Sequence, residues 1–223
     1  MRIACAGAQG LGKTTFINDF IKEFPMYSTP DTSYRDTLKE KGLIGNRGTT
    51  HETQETIRDI MTDDAMRYLT TDNIIHDRCV LDNAIYSLWK NDKDNKEITD
   101  GFVHSTLELC RQACKFYDII FFFPITKHNI PMEDSENRDT DVEYQKEIDE
   151  LFKAALMTYH RGENVFFDMS DAPAVIEVFG DRETRIEIAK MYLEVDTGNA
   201  LEADGSFMDS LTENPVTSPE NNK

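Results

Sequence analysis

The chain has 223 residues, 39% hydrophobic and 30% charged, with 42 acids against 24 lysines and arginines and a formal charge of −18. That length suits one compact domain with a proper core. With no run of roughly 18 apolar residues and no cleavable leader, a soluble, cytoplasmic protein with no membrane partner is expected. The acidic balance argues against non-specific binding to duplex nucleic acid, although six acids and one lysine sit after residue 195 and the remainder can still carry a basic cleft.

Ile3–Ala6 reads as a first, fully buried strand running into Gly7-Ala-Gln-Gly-Leu-Gly-Lys-Thr14, and Thr15–Phe24 as the helix that follows. Strand, glycine-rich turn and helix in that order form a phosphate-binding P-loop. The glycines let successive backbone N–H groups converge on phosphates, and the helix N-terminus adds positive potential. Gln9, Gly10, Leu11, Gly12, Lys13, Thr14 and Thr15 are therefore expected to bind a nucleoside triphosphate. Lys13 supplies a charge for the β/γ oxygens, and the Thr14 hydroxyl suits Mg²⁺.

Tyr27–Pro30 is a short extended segment, and a helix follows near Thr32–Lys41; Gly42, Gly45 and Gly48 mark a flexible connection. Thr49-Thr-His-Glu52 has capping-box spacing, and Ile57, Ile60, Met61, Ala65 and Leu69 then repeat with helical period. Asn73–Asp77 is the next strand, with helices from about Leu81 to Trp89 and over Phe102–Lys115. Asp118-Ile-Ile-Phe-Phe-Phe123 is a continuous apolar strand ended by Pro124. Thr126–Asp141 is polar and irregular, Glu143–Tyr159 is helical, Val175–Phe179 is the last strand and a final helix runs to Glu194.

Short apolar strands alternating with helices predict a three-layer α/β/α fold around a mostly parallel five-stranded sheet. Residues 1–195 are expected to form that domain, and the acidic, aperiodic stretch 196–223 to be a disordered tail. Cys5, Cys79, Cys110 and Cys114 show no extracellular pattern; Cys110 and Cys114, one helical turn apart, read as buried apolar residues or as half of a metal or redox pair. His51, His104, His128 and His160 have no metal-ligand spacing, and His76 reads as a core histidine.

Asp77-Arg78, where motor ATPases usually carry an acidic pair, sets the reaction class. A carboxylate at a strand's C-terminal end can orient a hydroxyl or hold Mg²⁺, and the adjacent arginine can clamp an anionic or polar acceptor. The alternative is that Asp77 caps the next helix and Arg78 makes a surface ion pair. Thr126-Lys-His-Asn129 imitates the base-reading motif of GTPases, but Asn129 replaces the acid that motif needs, and no suitable Asp-x-x-Gly precedes it.

The segment from Asp77-Arg78 through Asp82 to Tyr86 resembles the Asp/Glu-Arg segment of nucleoside and nucleotide kinases, including thymidylate kinase and the deoxynucleoside kinases. Further along, Pro30-Asp31-Thr-Ser-Tyr-Arg35, Glu133-Asp134-Ser-Glu-Asn-Arg138 and Val175–Arg185 are similar, in order, to the acceptor, lid and adenine-side segments of NadR-type nicotinamide ribonucleoside kinases and related phage P-loop kinases. The resemblance implies a P-loop fold with a helical substrate and lid region, and ATP and Mg²⁺ as cofactors. Asp77 and Thr14 would hold the metal and Lys13, Asp77 and Arg138 would be catalytic. Asp31 (or Asp36), Arg35, Arg78 and Asp82 would hold the acceptor, and Arg182 or Arg185 would flank adenine. Each charged residue has a plainer reading as well: Arg138 paired with its acidic neighbours, Arg182 or Arg185 in a helix-face ion pair, and Asp82 as an acid complementing a helix N-terminus.

The expected activity is transfer of the γ-phosphoryl group to a nucleoside, a nucleotide or a similar small acceptor, with a homodimer admitted. Two alternatives stand beside it: a phage-type kinase acting on hydroxymethylated pyrimidine in DNA, and a regulatory module that binds ATP without transferring anything.

Overall fold

The computed structural model describes residues 1–31, 33–127, 142–162 and 164–193. The chain forms two units, Met1–Ala189 and Lys190–Lys223; of the second, only residues 190–193 are described. The expected tail and Arg138 lie outside the described residues.

Among the described residues, four parallel strands make the sheet: β1 (Arg2–Ala6), β2 (Ile74–Asp77), β3 (Ile119–Phe122) and β4 (Ala174–Glu177), in the order β2-β1-β3-β4. The helices are α1 (Lys13–Glu23), α2 (Tyr34–Lys41), α3 (His51–Arg67), α4 (Val80–Lys93), α5 (Asp100–Cys114), α6 (Val142–His160) and α7 (Arg182–Leu193). In place of the expected fifth strand, the short extended segment Tyr27–Pro30 adds a single bridge, Ser28 with Ile74, on the open side of β2. Ser28 exchanges backbone bonds with Asn73 and Ile75; Pro30, two residues on, has no N–H with which to continue a ladder.

Strand alternation distributes the aromatic run of β3 to both faces. Phe121 and Phe123 meet Phe16 of α1 at centroid distances of 5.6 and 5.1 Å, whereas Phe122 stacks on Phe152 of α6 at 5.7 Å. Helices therefore cover the sheet from both sides, and every residue of β3 is buried. On the α6 side, Trp89 of α4 packs against Tyr144 of α6 at 4.5 Å, and its indole N–H donates to Glu147 at 2.6 Å.

Helix starts are set by local hydrogen bonding. The cap of α3 is Thr50, one residue later than the capping-box spacing suggested: Thr53 N donates to Thr50 Oγ1 at 3.2 Å. Thr49 is buried instead and accepts from Gln54 Nε2 at 2.8 Å, so burial of its hydroxyl displaces the cap by one position. His76 is buried edge-on between the rings of Tyr68 and Tyr117, and burial lowers its pKa to about 4.

Phe20 is fully buried among Phe16, Phe24, Tyr27 and Phe121. Phe20→Ala is expected to destabilise the domain by about 3–5 kcal/mol, read from the midpoint of denaturant unfolding. A loss below about 1 kcal/mol would mean that the surrounding rings collapse into the space, which this packing does not allow.

Candidate functional site

The phosphate loop depends for its path on three glycines with positive φ, Gly7, Gly10 and Gly12. Gly7 has φ +135°, and a Cβ there would lie 2.7 Å from the carbonyl oxygen of Phe123. Gly12 has φ +82°, with Arg185 Nη1 2.9 Å from the Cβ position. Lys13, the first residue of α1, turns its ammonium back into the loop and donates to the carbonyls of Gly7, at 2.7 Å, and of Ala8. Burial and the nearby Arg78 charge lower its pKa to about 7, against the pull of Asp82 and Asp77. A phosphate arriving here would meet an ammonium held only by neutral carbonyls.

The end of β2 supplies the opposing groups. Asp77 Oδ2 accepts from Thr14 Oγ1 at 3.0 Å and from Arg35 Nη1 at 2.9 Å. Burial pushes the Asp77 carboxyl up, but Arg35, Arg78 and Lys13 more than offset it and hold the group below the ordinary carboxylate range. Arg78 adopts φ +84°, unusual for a non-glycine residue. Its guanidinium lies under the loop: Nη1 donates to Asp82 Oδ1 at 2.7 Å and to the Gly7 carbonyl at 3.3 Å, and Nη2 reaches the Tyr86 hydroxyl at 3.5 Å. Asp82 also accepts from Gly7 N and Cys79 N, both at 3.3 Å. Tyr86 donates to Gln9 Oε1 at 2.8 Å, and Gln145 of α6 donates to the Gln9 carbonyl at 2.6 Å. The first and third residues of the loop are thus fastened to α4.

Two adjoining chambers open beside this clasp. The larger, about 290 Å³, lies between α1, residues 29–35 and α3, with Thr14, Asp77 and Arg78 in its wall. The smaller, about 60 Å³, is walled by Gln54, Asp82, Asn83 and Tyr86. Tyr34, Met61 and Arg78 border both. In the smaller chamber, Asn83 Nδ2 donates to the Gln54 carbonyl at 2.9 Å and to Gln54 Oε1 at 2.7 Å. The backbone carbonyl is an unambiguous acceptor, so it fixes the orientation of both side-chain amides. Asn83 Oδ1, Asp77 Oδ1, Arg78 Nε and Gln9 Nε2 are all buried without a partner. Asp77, Arg78 and Asn83 stand in the chamber walls, so three of these atoms, each worth about 1–3 kcal/mol when left unsatisfied, lie where a polar ligand could complete them.

Hard oxygen donors are what Mg²⁺ requires, and it usually takes one or two protein oxygens alongside phosphates and waters. The Thr14 hydroxyl and the Asp77 carboxylate, with its orphaned Oδ1, fit that requirement. Among the described residues no group of three or more His, Cys, Asp or Glu side chains is placed to hold a metal. Cys110 and Cys114 are buried with their sulfurs 3.6 Å apart.

The structure brings Gln9, Lys13, Thr14, Asp77, Arg78, Asp82 and Arg35 together, while Gly10, Leu11, Gly12 and Thr15 sit in the loop or the first turn of α1. Asp31 is exposed beside the cleft, with its backbone N–H donated to Tyr68 Oη at 3.1 Å. Arg182 lies on the outside of α7, 61% exposed, in a two-pronged pair with Asp19 at 2.6 and 2.7 Å. Arg185, one turn on, is the arginine that reaches the loop, donating to the Leu11 carbonyl at 2.7 Å. Gln54, Asn83, Tyr86 and Tyr34 were not singled out by sequence reasoning. A signal existed for Gln54, a polar residue in register with the apolar stripe of Ile57, Met61 and Ala65 on α3.

A family model described as an AAA domain matches residues 2–166, from β1 to beyond α6. The chain belongs to this AAA-domain family. A comparison with curated proteins gave no match. Among solved structures, the fold is similar to a deoxyadenosine kinase from M. mycoides holding dCMP and dCDP (17% identity, TM-score 0.58, 87% of this chain and 100% of that one). It is similar also to thymidylate kinase from Candida albicans (16% identity, TM-score 0.59, covering 87% and 91%). NadR in complex with NR matches at 12% identity and TM-score 0.60, over 90% of this chain and 54% of that one. The shared architecture is that of P-loop nucleoside and nucleotide kinases. No described helix is long and apolar enough to cross a membrane.

The Arg78–Asp82 pair is almost fully buried, with side chains 8% and 1% exposed. Asp82→Ala would strand a buried guanidinium and is expected to cost about 3–5 kcal/mol, measured by urea unfolding without any ligand. Wild-type stability would mean that the carboxylate serves a bound molecule and not the loop.

Proposed function

We propose that this protein is an ATP- and Mg²⁺-dependent kinase that transfers the γ-phosphoryl group to a nucleoside, a nucleotide or a related small acceptor. The observation that carries the reading is the 3.0 Å bond from Thr14 to Asp77, which joins the end of the phosphate loop to the end of β2 across a single cleft. A glycine turn unrelated to catalysis would have no reason to face a half-buried carboxylate whose inner oxygen is unpaired.

In this reading Lys13 exchanges its two carbonyl partners for phosphate oxygens, and the loop amides hold the rest of the triphosphate. Thr14 and Asp77 would hold Mg²⁺, which would supply charge neutralisation to the triphosphate. Asp77 orients the acceptor hydroxyl, and Arg78, through its vacant Nε, together with Arg35 and Asp31, holds the acceptor's polar end. The smaller chamber takes the far end of the acceptor, offering Asn83 Oδ1 to an N–H donor. Arg138, outside the described residues, is assigned to the transferring group, and Arg182 or Arg185 to the adenine side. Catalysis is then mostly positioning and charge neutralisation.

The size of the chambers supports a small acceptor over a nucleic-acid strand, which needs a long positive groove. The family resemblance to nucleoside and nucleotide kinases favours the same class. Residues 1–195 are proposed to suffice for activity, with residues 196–223 dispensable.

The test is labelled γ-phosphate transfer to nucleosides, nucleoside monophosphates, nicotinamide riboside and duplex containing hydroxymethyluracil. Label is expected on a small acceptor. Lys13→Ala and Asp77→Asn should each lower transfer by about 100-fold or more, with Asp77→Asn still binding ATP. Label on duplex alone would replace the small acceptor by a polymer, and full transfer by Asp77→Asn would remove that residue's role.

A further inference from the structure

We propose that Arg35 stands in the metal's place: its guanidinium occupies Asp77 while no cation is bound, and the two compete for the same carboxylate. The identity of the cation rests on the kinase reading above. The competition rests on three features of the cleft.

The first is shared ligation. Asp77 Oδ2 accepts from Arg35 Nη1 at 2.9 Å and from Thr14 Oγ1 at 3.0 Å, so the carboxylate oxygen that joins the hydroxyl best suited to a divalent cation already meets a cationic side chain. The second is incomplete satisfaction. Asp77 Oδ1 is buried and unpartnered, so a monovalent guanidinium held through one nitrogen leaves half of the carboxylate unmet. A divalent ion would need the same Oδ2 beside Thr14 and would draw as well on the oxygen that Arg35 does not use.

The third is freedom to leave. The Arg35 side chain is 48% exposed and lies over the ring of its neighbour Tyr34 at 4.7 Å, so it has a resting place and solvent at hand. The other two cations of the cleft are held more firmly. Lys13 donates to two loop carbonyls, and Arg78 is buried between Gly7, Asp82 and Tyr86.

Two cations on one carboxylate repel each other at close range. Metal binding therefore has to displace Arg35, and Arg35 opposes metal binding by the same free energy. Released, the guanidinium remains in the wall of the larger chamber, where it can meet an anionic part of the acceptor. The exchange favours uptake of the metal–nucleotide before the acceptor, because Arg35 is committed to Asp77 until then.

The measurement is calorimetric titration of a non-hydrolysable ATP analogue into wild type, Arg35→Ala and Arg35→Met, each with excess Mg²⁺ and again with EDTA. The quantity of interest is the factor by which Mg²⁺ tightens binding, with Arg35→Ala repeated in an Asp77→Asn protein, where no carboxylate is shared, to subtract the direct effect of the lost charge on the phosphates. Both variants are expected to raise that factor roughly three- to ten-fold over wild type. Arg35→Met keeps the bulk over Tyr34, so agreement between the two ties the effect to charge. A factor unchanged or reduced in both variants, with wild type binding normally, overturns the competition alone. No binding by wild type with or without Mg²⁺ overturns the kinase reading and this inference with it.

Discussion

The buried pairing of Arg78 with Asp82 is the constraint on which the site depends. A guanidinium and a carboxylate removed from water are costly unless their remaining bonds are made, and here those bonds go to the phosphate loop. Gly7 gives its N–H to Asp82 and its carbonyl to Arg78. The start of the loop is thereby fixed to the first turn of α4 from below, while Phe123 closes on it so tightly that no side chain fits at position 7. The left-handed backbone of Arg78 is the strain that makes this possible: it turns the side chain under the loop at the point where β2 gives way to α4.

What the loop gains is a shape that does not need its ligand. Lys13 is held by carbonyls, Gln9 by Tyr86 and Gln145, and Leu11 by Arg185. Against this rigid frame stand the polar atoms left unpaired, Asp77 Oδ1, Arg78 Nε, Asn83 Oδ1 and Gln9 Nε2. Three of these, all but Gln9 Nε2, belong to residues in the chamber walls, where a ligand can complete their hydrogen bonding. Preorganised dipoles and charges of this kind are the main resource of phosphoryl transfer.

Much of this was legible in the sequence, for reasons that are local. Strand, glycine turn, Gly12-Lys13-Thr14 and helix are contiguous, so their geometry follows from neighbours in the chain. The apolar runs Ile3–Ala6 and Ile119–Phe122 declare buried parallel strands in the same way. Tertiary partners were less legible. Arg182 and Arg185 differ by one helical turn and by nothing in local composition, yet one meets Asp19 outside and the other meets the loop. Thr49 and Thr50 are adjacent and chemically identical; a buried glutamine from the next turn decides which of them caps α3. Gln54, Asn83 and Tyr86 depend on how α3 lies on α4, a register no single segment encodes. Tyr27–Pro30 has strand composition but pairs only at Ser28.

The chain carries one tryptophan, and its position gives the molecule an internal optical probe. Trp89 shares a helix with Arg78's partner Asp82 and is joined through its indole to α6, the helix whose Gln145 grips the phosphate loop. Any rearrangement that slides those two helices past one another must alter the polarity around that indole, so emission colour reports on their spacing without a dye or an engineered label.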